Sequence, residues 1–448
     1  MHLSWRQKSL LLGLLLLGAF IPAVWAGYPQ SEADSVGVAI NLSEPGMIPI
    51  HPLLLPRKGR PVWEHAARLP ITLLELPFKT TGYLMRKGLN VIEAHHVTAR
   101  VQQIPPWLVR RHIVVENGSQ GDGSGFGVAV GLQGAVGQTR PVEIAVSSAL
   151  TLRTYQTHAL HLRFSGIAGR HGDITGWVEY QARPRENFFG TGAQTLAQDH
   201  TQFQQARLHT GLALSYRLSR LQVSGLIDWT DFDIDAGGGQ LYPSTISRFP
   251  DLPGLSGARL MGAGFEAAYP ERLYQGLAGS ERGIKVAVHT YWDVDGTRYG
   301  FNRYTLTLYQ TVPMFWGDRI LVFRFVGSMV DPRGKRQIPF FVMPRLGGST
   351  TLRGYADLRF WDRNAVLLNA EYRYPLWDIG WNRTALDVIW FVDTGMVSPT
   401  GDGFALRALA TDYGAGLRFR TKSGVLARLN VAHSPEMTRF SVKLESDF

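Results

Sequence analysis

From Gly121 almost to the C-terminal Phe448, apolar and polar residues alternate with a period of two. Leu221, Val223, Ile227 and Trp229 alternate with Gln222, Ser224, Asp228 and Thr230. Tyr304, Leu306, Leu308 and Val312 alternate with Arg303, Thr305, Thr307 and Thr311, and Val425, Ala427, Leu429 and Val431 with Arg428 and Asn430. The last run is the cleanest, with Phe440, Val442, Leu444 and Phe448 on one face and Ser441, Lys443, Glu445 and Asp447 on the other. Successive side chains of a strand point to opposite faces, so the pattern predicts strands with one apolar and one polar face. A soluble sandwich buries such apolar faces against a second sheet. Here the strands are long and the polar face is charged, which suits another solution: a sheet closed on itself, apolar side to lipid and polar side to a watery lumen. Closure is then obligatory, because an unpaired backbone edge is not tolerated in hydrocarbon. The ~325 residues from Gly123 onward, at roughly 20 per strand and turn, allow about 16 strands. The expected strands run from 125–135 to 437–448 and include 172–183, 220–230, 339–346, 364–376 and 384–397. Residues 233–256, 331–338 and 347–363 are the long connections.

The rest of the chain is consistent with export. Residues 1–26 read as a secretory signal peptide, with Arg6 and Lys8 at its start, an apolar centre from Leu10 to Phe20, and Val24-Trp25-Ala26 before a cut at Gly27. That apolar run is too short to span a bilayer, and nothing after Gly27 supplies 18 consecutive apolar residues. The absence of cysteine excludes disulfides, thiolate metal sites, cysteine nucleophiles and a lipoprotein anchor. Charged residues at 18%, 49 glycines and 11% aromatics fit a β-rich chain that meets lipid. The formal charge of +10 is spread without a dense basic tract, which favours anionic lipid or lipopolysaccharide surfaces over nucleic acid. Residues 27–119 hold ten of the 24 prolines, which rules out long strands and helices there. An extended periplasmic lead-in to about Pro61 is expected, then a broken helical stretch over Val62–Val101. Its second half, Tyr83–Val101, reads equally as a basic amphipathic helix on a membrane face or in a lumen, or as an ordinary packed helix. The expected organisation is a signal peptide (1–26), a partly helical lead-in (27–119) and a barrel (120–448).

The run Gly347-Gly348-Ser349-Thr350-Thr351-Leu352-Arg353-Gly354-Tyr355 breaks the alternation. Its glycines permit tight turns and close backbone approach, and the arginine offers a planar fork suited to bidentate carboxylate pairing. Taken alone, it also reads as a surface loop with a solvated arginine. The strands that follow weigh against that. In 367–376, Leu368, Ala370, Tyr372, Tyr374 and Leu376 form one face, and Asn369, Glu371 and Arg373 the other. In 385–396, Leu386, Val388, Trp390 and Val392 oppose Asp387, Phe391, Asp393 and Gly395. Glu371 and Asp393 are thus expected to face the same lumen, where an inward-folded loop would bring Arg353 to both.

No catalytic, cofactor-binding or metal-ligating residue is expected. The chain has no Gly-x-Ser-x-Gly elbow, no His-Glu-x-x-His helix and no Walker loop, and Gly121–Gly125 lacks the lysine of a phosphate loop. Adjacent His95 and His96 point to different sides of a helix and do not share a metal, and the other histidines scatter. His433-Ser434 near Glu436 is the one hint of nucleophilic chemistry, and Ser434-Pro435 is equally ordinary turn sequence.

The run Leu352-Arg353-Gly354-Tyr355, preceded by Gly347-Gly348-Ser349, resembles the inward-loop motif of the bacterial surface antigen family. This is the superfamily of the BamA insertase, the TamA translocation barrel and the two-partner secretion transporters. Glu371-Tyr372-Arg373-Tyr374-Pro375-Leu376 resembles the strand after that motif, and Phe391-Val392-Asp393-Thr394-Gly395 the next strand's signature. Glu186-Asn187-Phe188-Phe189-Gly190-Thr191-Gly192 is similar to a periplasm-to-surface connection of compact members. The terminal strand ending in Phe448 resembles the signal read by the barrel insertion machinery. The resemblance spans roughly 120–448. It implies an all-β fold, a transmembrane antiparallel barrel of about 16 strands in the outer membrane of a Gram-negative bacterium. Arg353, Gly354, Tyr355, Glu371 and Asp393 would form an inward-loop latch, and Phe440, Val442, Leu444 and Phe448 the terminal signal. It further implies a cofactor-free, non-enzymatic role in inserting or translocating protein or lipid. The implied partners are outer-membrane lipids and lipopolysaccharide, the insertion machinery during biogenesis, and client polypeptides or lipids. The family pattern places polypeptide-transport-associated (POTRA) domains before the barrel. Residues 27–119 do not read as one, so a compact member lacking them is expected. A passive pore or structural barrel, and a lipid-modifying barrel enzyme, remain as alternatives.

Overall fold

The computed structural model describes residues 113–444 apart from 122, 138–140, 168–170, 238–240, 270–281, 315–318, 380–383 and 422–423. The signal-peptide and lead-in readings, the Tyr83–Val101 helix, His95-His96 and Phe448 lie outside the described residues.

Sixteen strands form a single antiparallel sheet in which each pairs with the next in order along the chain. They are β1 (Ile113–Asn117), β2 (Gly127–Val136), β3 (Val142–Thr151), β4 (Gln156–Ile167), β5 (Gly172–Phe188), β6 (Thr201–Leu218), β7 (Leu221–Asp235) and β8 (Ala258–Tyr269). After these come β9 (Arg282–Asp293), β10 (Gly300–Pro313), β11 (Ile320–Pro332), β14 (Asn364–Ile379), β15 (Thr384–Ser398), β16 (Ala410–Thr421), β17 (Gly424–His433) and β18 (Thr438–Leu444). A separate two-stranded ribbon, β12 (Arg345–Leu346) with β13 (Phe360–Trp361), sits in the β11–β14 connection. Among the described residues a short helix, α1 (Thr245–Arg248), lies between β7 and β8. Among the described residues no helix is long and apolar enough to cross a membrane, which leaves crossing by strands untouched.

The alternation seen in sequence becomes two chemically distinct faces. Leu212, Leu214, Ile227, Phe265, Val392, Val431, Phe440 and Val442 are all exposed on one face. Asp228, Glu371, Asp393, Asp412 and Asn430 are buried on the other. Leu386 and Val388 are an exception. They lie on the apolar face of β15 yet are buried, with Tyr374 and Leu417 flanking Val388 in register.

Two corrections to the expected strands offset one another in the count. Residues 339–346 do not enter the sheet. Phe340–Val342 form a 3-10 turn and only Arg345–Leu346 pair, within the ribbon. Pro339 and Pro344 bracket this segment, and proline cannot donate to a ladder. The missing strand is β1, inside the segment read as lead-in, whose five residues are too few to display a period. Pro184 made β5 seem to end at 183. Instead a register shift between Arg183 and Glu186 absorbs the proline, and pairing continues to Phe188.

The sheet is strongly curved. Arg359, in the β11–β14 connection, bonds to Thr195 just before β6 and to Glu436 between β17 and β18. Those strands are nine places apart in sheet order, ~43 Å if the sheet were flat, far beyond the reach of one side chain. The core lies at the end that carries the long connections. Phe188, Phe203, Ile234, Leu260, Phe301 and Val330 from strand ends meet Ile338, Phe340, Phe341 and Trp361 of the β11–β14 connection. Phe188, Phe340 and Trp361 interlock edge to face or tilted, with centroids 5.3–6.2 Å apart, a spacing at which aromatic pairs attract.

Candidate site: a buried arginine at the tip of a long connection

The β11–β14 connection turns sharply at Gly347, whose φ of +115° lies in the left-handed region that favours glycine. A Cβ there would also lie 2.3 Å from the Ala356 carbonyl oxygen. Thr351 Oγ1 accepts from the Gly347 amide at 2.8 Å and donates to the Gly347 carbonyl at 2.9 Å, which closes the turn. Leu352 and Tyr355 then bury their side chains with Leu346, Phe360, Leu367 and Val397. Tyr355 lies edge-on to Phe360 at 5.2 Å. Those two apolar anchors flank Arg353 and aim it at the polar face of β14 and β15.

Arg353 is 5% exposed. Its Nε and Nη2 donate to the two oxygens of Asp393 at 2.6 and 2.7 Å, and its Nη1 donates to Glu371 Oε1 at 2.7 Å. The guanidinium lies 3.5 Å from the centre of the Phe391 ring, a close cation–π contact. Burial opposes its charge, but the hydrogen bonds and charges of Asp393 and Glu371 outweigh this and hold its pKa above the ordinary arginine value. A second tier fixes the carboxylates. Asn369 Nδ2 donates to Asp393 Oδ1 at 2.8 Å and to the Thr351 carbonyl at 2.9 Å. Arg373 donates through Nε and Nη2 to Glu371 Oε2 at 2.9 and 2.8 Å. The bidentate fork explains the need for arginine, since a lysine makes a point contact only.

Gly354 has a different reason. A Cβ at this position would lie 2.7 Å from Asp412 Cβ and 3.1 Å from the His433 carbonyl carbon, so only glycine lets the loop lie flat on β16 and the β17–β18 turn. Asp412 sits directly opposite Asp393 in the β15–β16 ladder, fully buried, with Gly354 packed against its Cβ.

The structure thus brings Arg353, Glu371 and Asp393 together and seats Gly354 and Tyr355 beside them. Phe440 and Val442 lie apart, exposed on the apolar face of β18, and Leu444 ends that strand. Ser434 is no nucleophile in this arrangement. Its hydroxyl donates to the Gly354 carbonyl at 2.8 Å, and Glu436 is paired with Arg359. Glu186, near the C-terminal end of β5, lies 3.2 Å from Arg183 and 3.8 Å from Arg345. Sequence reasoning missed Asn369 as an orienting residue, Asp412 and Arg359. Asn369 was placed on the right face, and its spacing of two from Glu371 was the available signal. Nothing local marks Arg359.

Residues 280–434 match the Omp85 superfamily domain. Arg353, Gly354, Tyr355, Glu371 and Asp393 all fall within the matched Omp85 residues, whereas β1 to β8 and β18 lie outside them. The fold resembles that of BamA from Haemophilus ducreyi lacking POTRA domains 1–3, with a TM-score of 0.54 and 12% identity over 74% of this chain and 68% of that one. CdiB from Escherichia coli is similar with a TM-score of 0.49 and 11% identity, over 74% of this chain and 60% of that one. CdiB from Acinetobacter baumannii follows with 0.44 and 13%, over 74% and 59%. The chain therefore spans less than two thirds of either CdiB. No curated protein matches it.

Proposed function

We propose that the chain is an integral outer-membrane barrel of the Omp85 type, of the BamA/TamA kind, that assists insertion or translocation of protein or lipid. In this reading the 16-stranded sheet closes, its exposed apolar face meets lipid and lipopolysaccharide, and Arg353 holds the β11–β14 connection inside as a latch. Residues 1–26 are removed on export, the residues from 27 up to β1 form a periplasmic lead-in in place of POTRA domains, and the terminal strand is read by the insertion machinery. The observation that carries the proposal is the buried bidentate pairing of Arg353 with Asp393, completed by Glu371. Unpairing a buried ion pair costs about 3–5 kcal/mol. A chain that keeps such a group at a loop tip has a loop whose inward position matters.

A passive pore is the weaker reading. Solute flow needs a continuous watery path, but Phe188, Phe203, Phe340 and Trp361 pack with no exposed surface at the long-connection end. The test is deletion in the native bacterium followed by outer-membrane proteomics and lipid analysis. Depletion of at least one outer-membrane protein or lipid species, restored by the wild-type chain and not by Arg353→Ala, is expected. An unchanged protein and lipid inventory would overturn the proposal.

A further inference from the structure

A second arginine of the same connection joins the β17–β18 hairpin to the β5–β6 connection. Arg359 is 1% exposed. Its Nε donates to Glu436 Oε2 and its Nη2 to Glu436 Oε1, both at 2.9 Å. Its Nη1 donates to Thr195 Oγ1 at 2.8 Å, and its Nη2 also to the Thr195 carbonyl at 2.5 Å. The guanidinium lies 4.6 Å from the Phe360 ring centre and 5.0 Å from that of Phe189. Every guanidinium nitrogen is engaged, with aromatic rings close by, so the group is held in one orientation.

The three parts it joins are the β11–β14 connection, the β5–β6 connection and the turn of the β17–β18 hairpin. Two other bonds tie that hairpin to the same loop. Ser434 Oγ donates to the Gly354 carbonyl at 2.8 Å, and Arg439 Nη1 donates to the Tyr355 carbonyl at 2.9 Å. Neither of these reaches the β5–β6 connection. The loop backbone also meets the β5–β6 connection through the Gly192 amide, which donates to the Trp361 carbonyl at 2.8 Å, but Arg359 is a single side chain that bonds both the hairpin and that connection directly, across strands nine places apart in the sheet.

The two arginine pairs also differ in their access to water. The Glu371 and Asp393 side chains are 9% and 0% exposed, but that of Glu436 is 25% exposed. Salt screens the more exposed pair far more than the buried one. The two pairs are thus graded: one shut inside, one open to solvent at its acidic end.

We propose that Arg359 is a positioning residue, a second and separable clasp that fixes the β17–β18 hairpin against the inner loop and the β5–β6 connection. Its release frees the end of the sheet while the Arg353 pair stays closed. This goes beyond the proposed function and holds whether or not the protein handles clients.

The chain has no cysteine, so labels can be placed without background. Spin labels at Leu196→Cys and Met437→Cys, both exposed, report across the clasp, and a pair at Leu196→Cys and Thr350→Cys reports the seating of the loop. The full chain is studied in lipid nanodiscs by pulsed electron spin resonance. Glu436→Gln, on an exposed turn, keeps the Thr195 bonds and weakens only the hairpin contact. It is expected to raise the long-distance population of the 196–437 pair roughly two- to five-fold, in keeping with a partly exposed pair, and to leave the 196–350 pair unchanged. One molar salt should act on the wild type in the same direction, an effect that mere packing would not show. Arg359→Lys should fall between wild type and Glu436→Gln. Unchanged 196–437 distances in Glu436→Gln and in high salt would overturn the proposal. So would equal broadening of both pairs, because the clasp would then not be separable from the loop.

Discussion

Replacing Arg353 with alanine removes the cation from a site where one carboxylate, Asp393, has no exposed surface and the other, Glu371, is nearly as buried. Three charge-assisted hydrogen bonds and the contact with Phe391 are lost together. Breaking a buried pair from one side costs about 3–5 kcal/mol, because the remaining charge is left uncompensated. Here the loss falls at the lower end, near 3 kcal/mol, since Arg373 still bonds Glu371 and Asn369 still bonds Asp393. At about 1.4 kcal/mol per factor of ten, the fraction of molecules with an unseated loop rises roughly 100-fold. Urea unfolding in detergent micelles measures the stability, and limited proteolysis within the 347–355 run measures the unseating. Arg353→Lys should recover only part of the loss, as the fork is absent. Arg353→Ala combined with Asp393→Asn should be more stable than Arg353→Ala alone, because the stranded charge is gone. Stability of Arg353→Ala within about 0.5 kcal/mol of wild type, the level of an ordinary surface change, would refute the reasoning.

Three further outcomes follow from the same geometry. Gly354→Ala drives a methyl group into Asp412 Cβ and the backbone at His433, and should cost about 1–3 kcal/mol by the same urea titration even though Arg353 is intact. Asp412→Asn removes one of two carboxylates placed directly opposite each other on neighbouring strands, and should raise stability by about 1 kcal/mol; a clear loss would show that Asp412 has a partner role. His200, stacked on Phe189 and tilted against Tyr242, has its pKa lowered to about 4 by burial and then by the charge of Arg359. Its folded value lies below the unfolded one near 6.5, so the unfolded chain binds more protons between them and stability falls as pH drops from about 6.5 to about 4. Melting curves across that window should show a steeper decline for wild type than for His200→Gln, and parallel curves would count against it.

The fold was legible wherever one strand face was apolar over several residues. Phe440 and Val442 declared β18, and Leu368 and Glu371 gave the correct faces of β14. Legibility failed where the period was short or interrupted. β1 has five residues, and Pro184 masked the continuation of β5 across a register shift. The apolar run around Phe340 passed for a strand because periodicity cannot tell an edge-paired segment from one that fills an interior. The Arg353 site was readable because its partners lie on two consecutive strands whose faces the alternation fixes. Arg359 was not, because Thr195 and Glu436 are distant in sequence from it and from each other, and only the curvature of the sheet brings them together. Asp412 was placed in a strand, but its position opposite Asp393 depends on the β15–β16 register, which no local pattern sets.

The central claim of the proposed function is that the sheet closes with the β11–β14 connection inside it and the tip of that connection against β14 and β15. Thr351 and Asn369 meet there through a 2.9 Å hydrogen bond, and the chain offers no competing thiol. The most direct measurement is short-span thiol cross-linking of Thr351→Cys with Asn369→Cys in the outer membrane of intact cells. The account predicts efficient cross-linking in the otherwise wild-type chain and its loss when Arg353→Ala is added. Two cysteines that both react with a small thiol reagent but never cross-link to each other would contradict it.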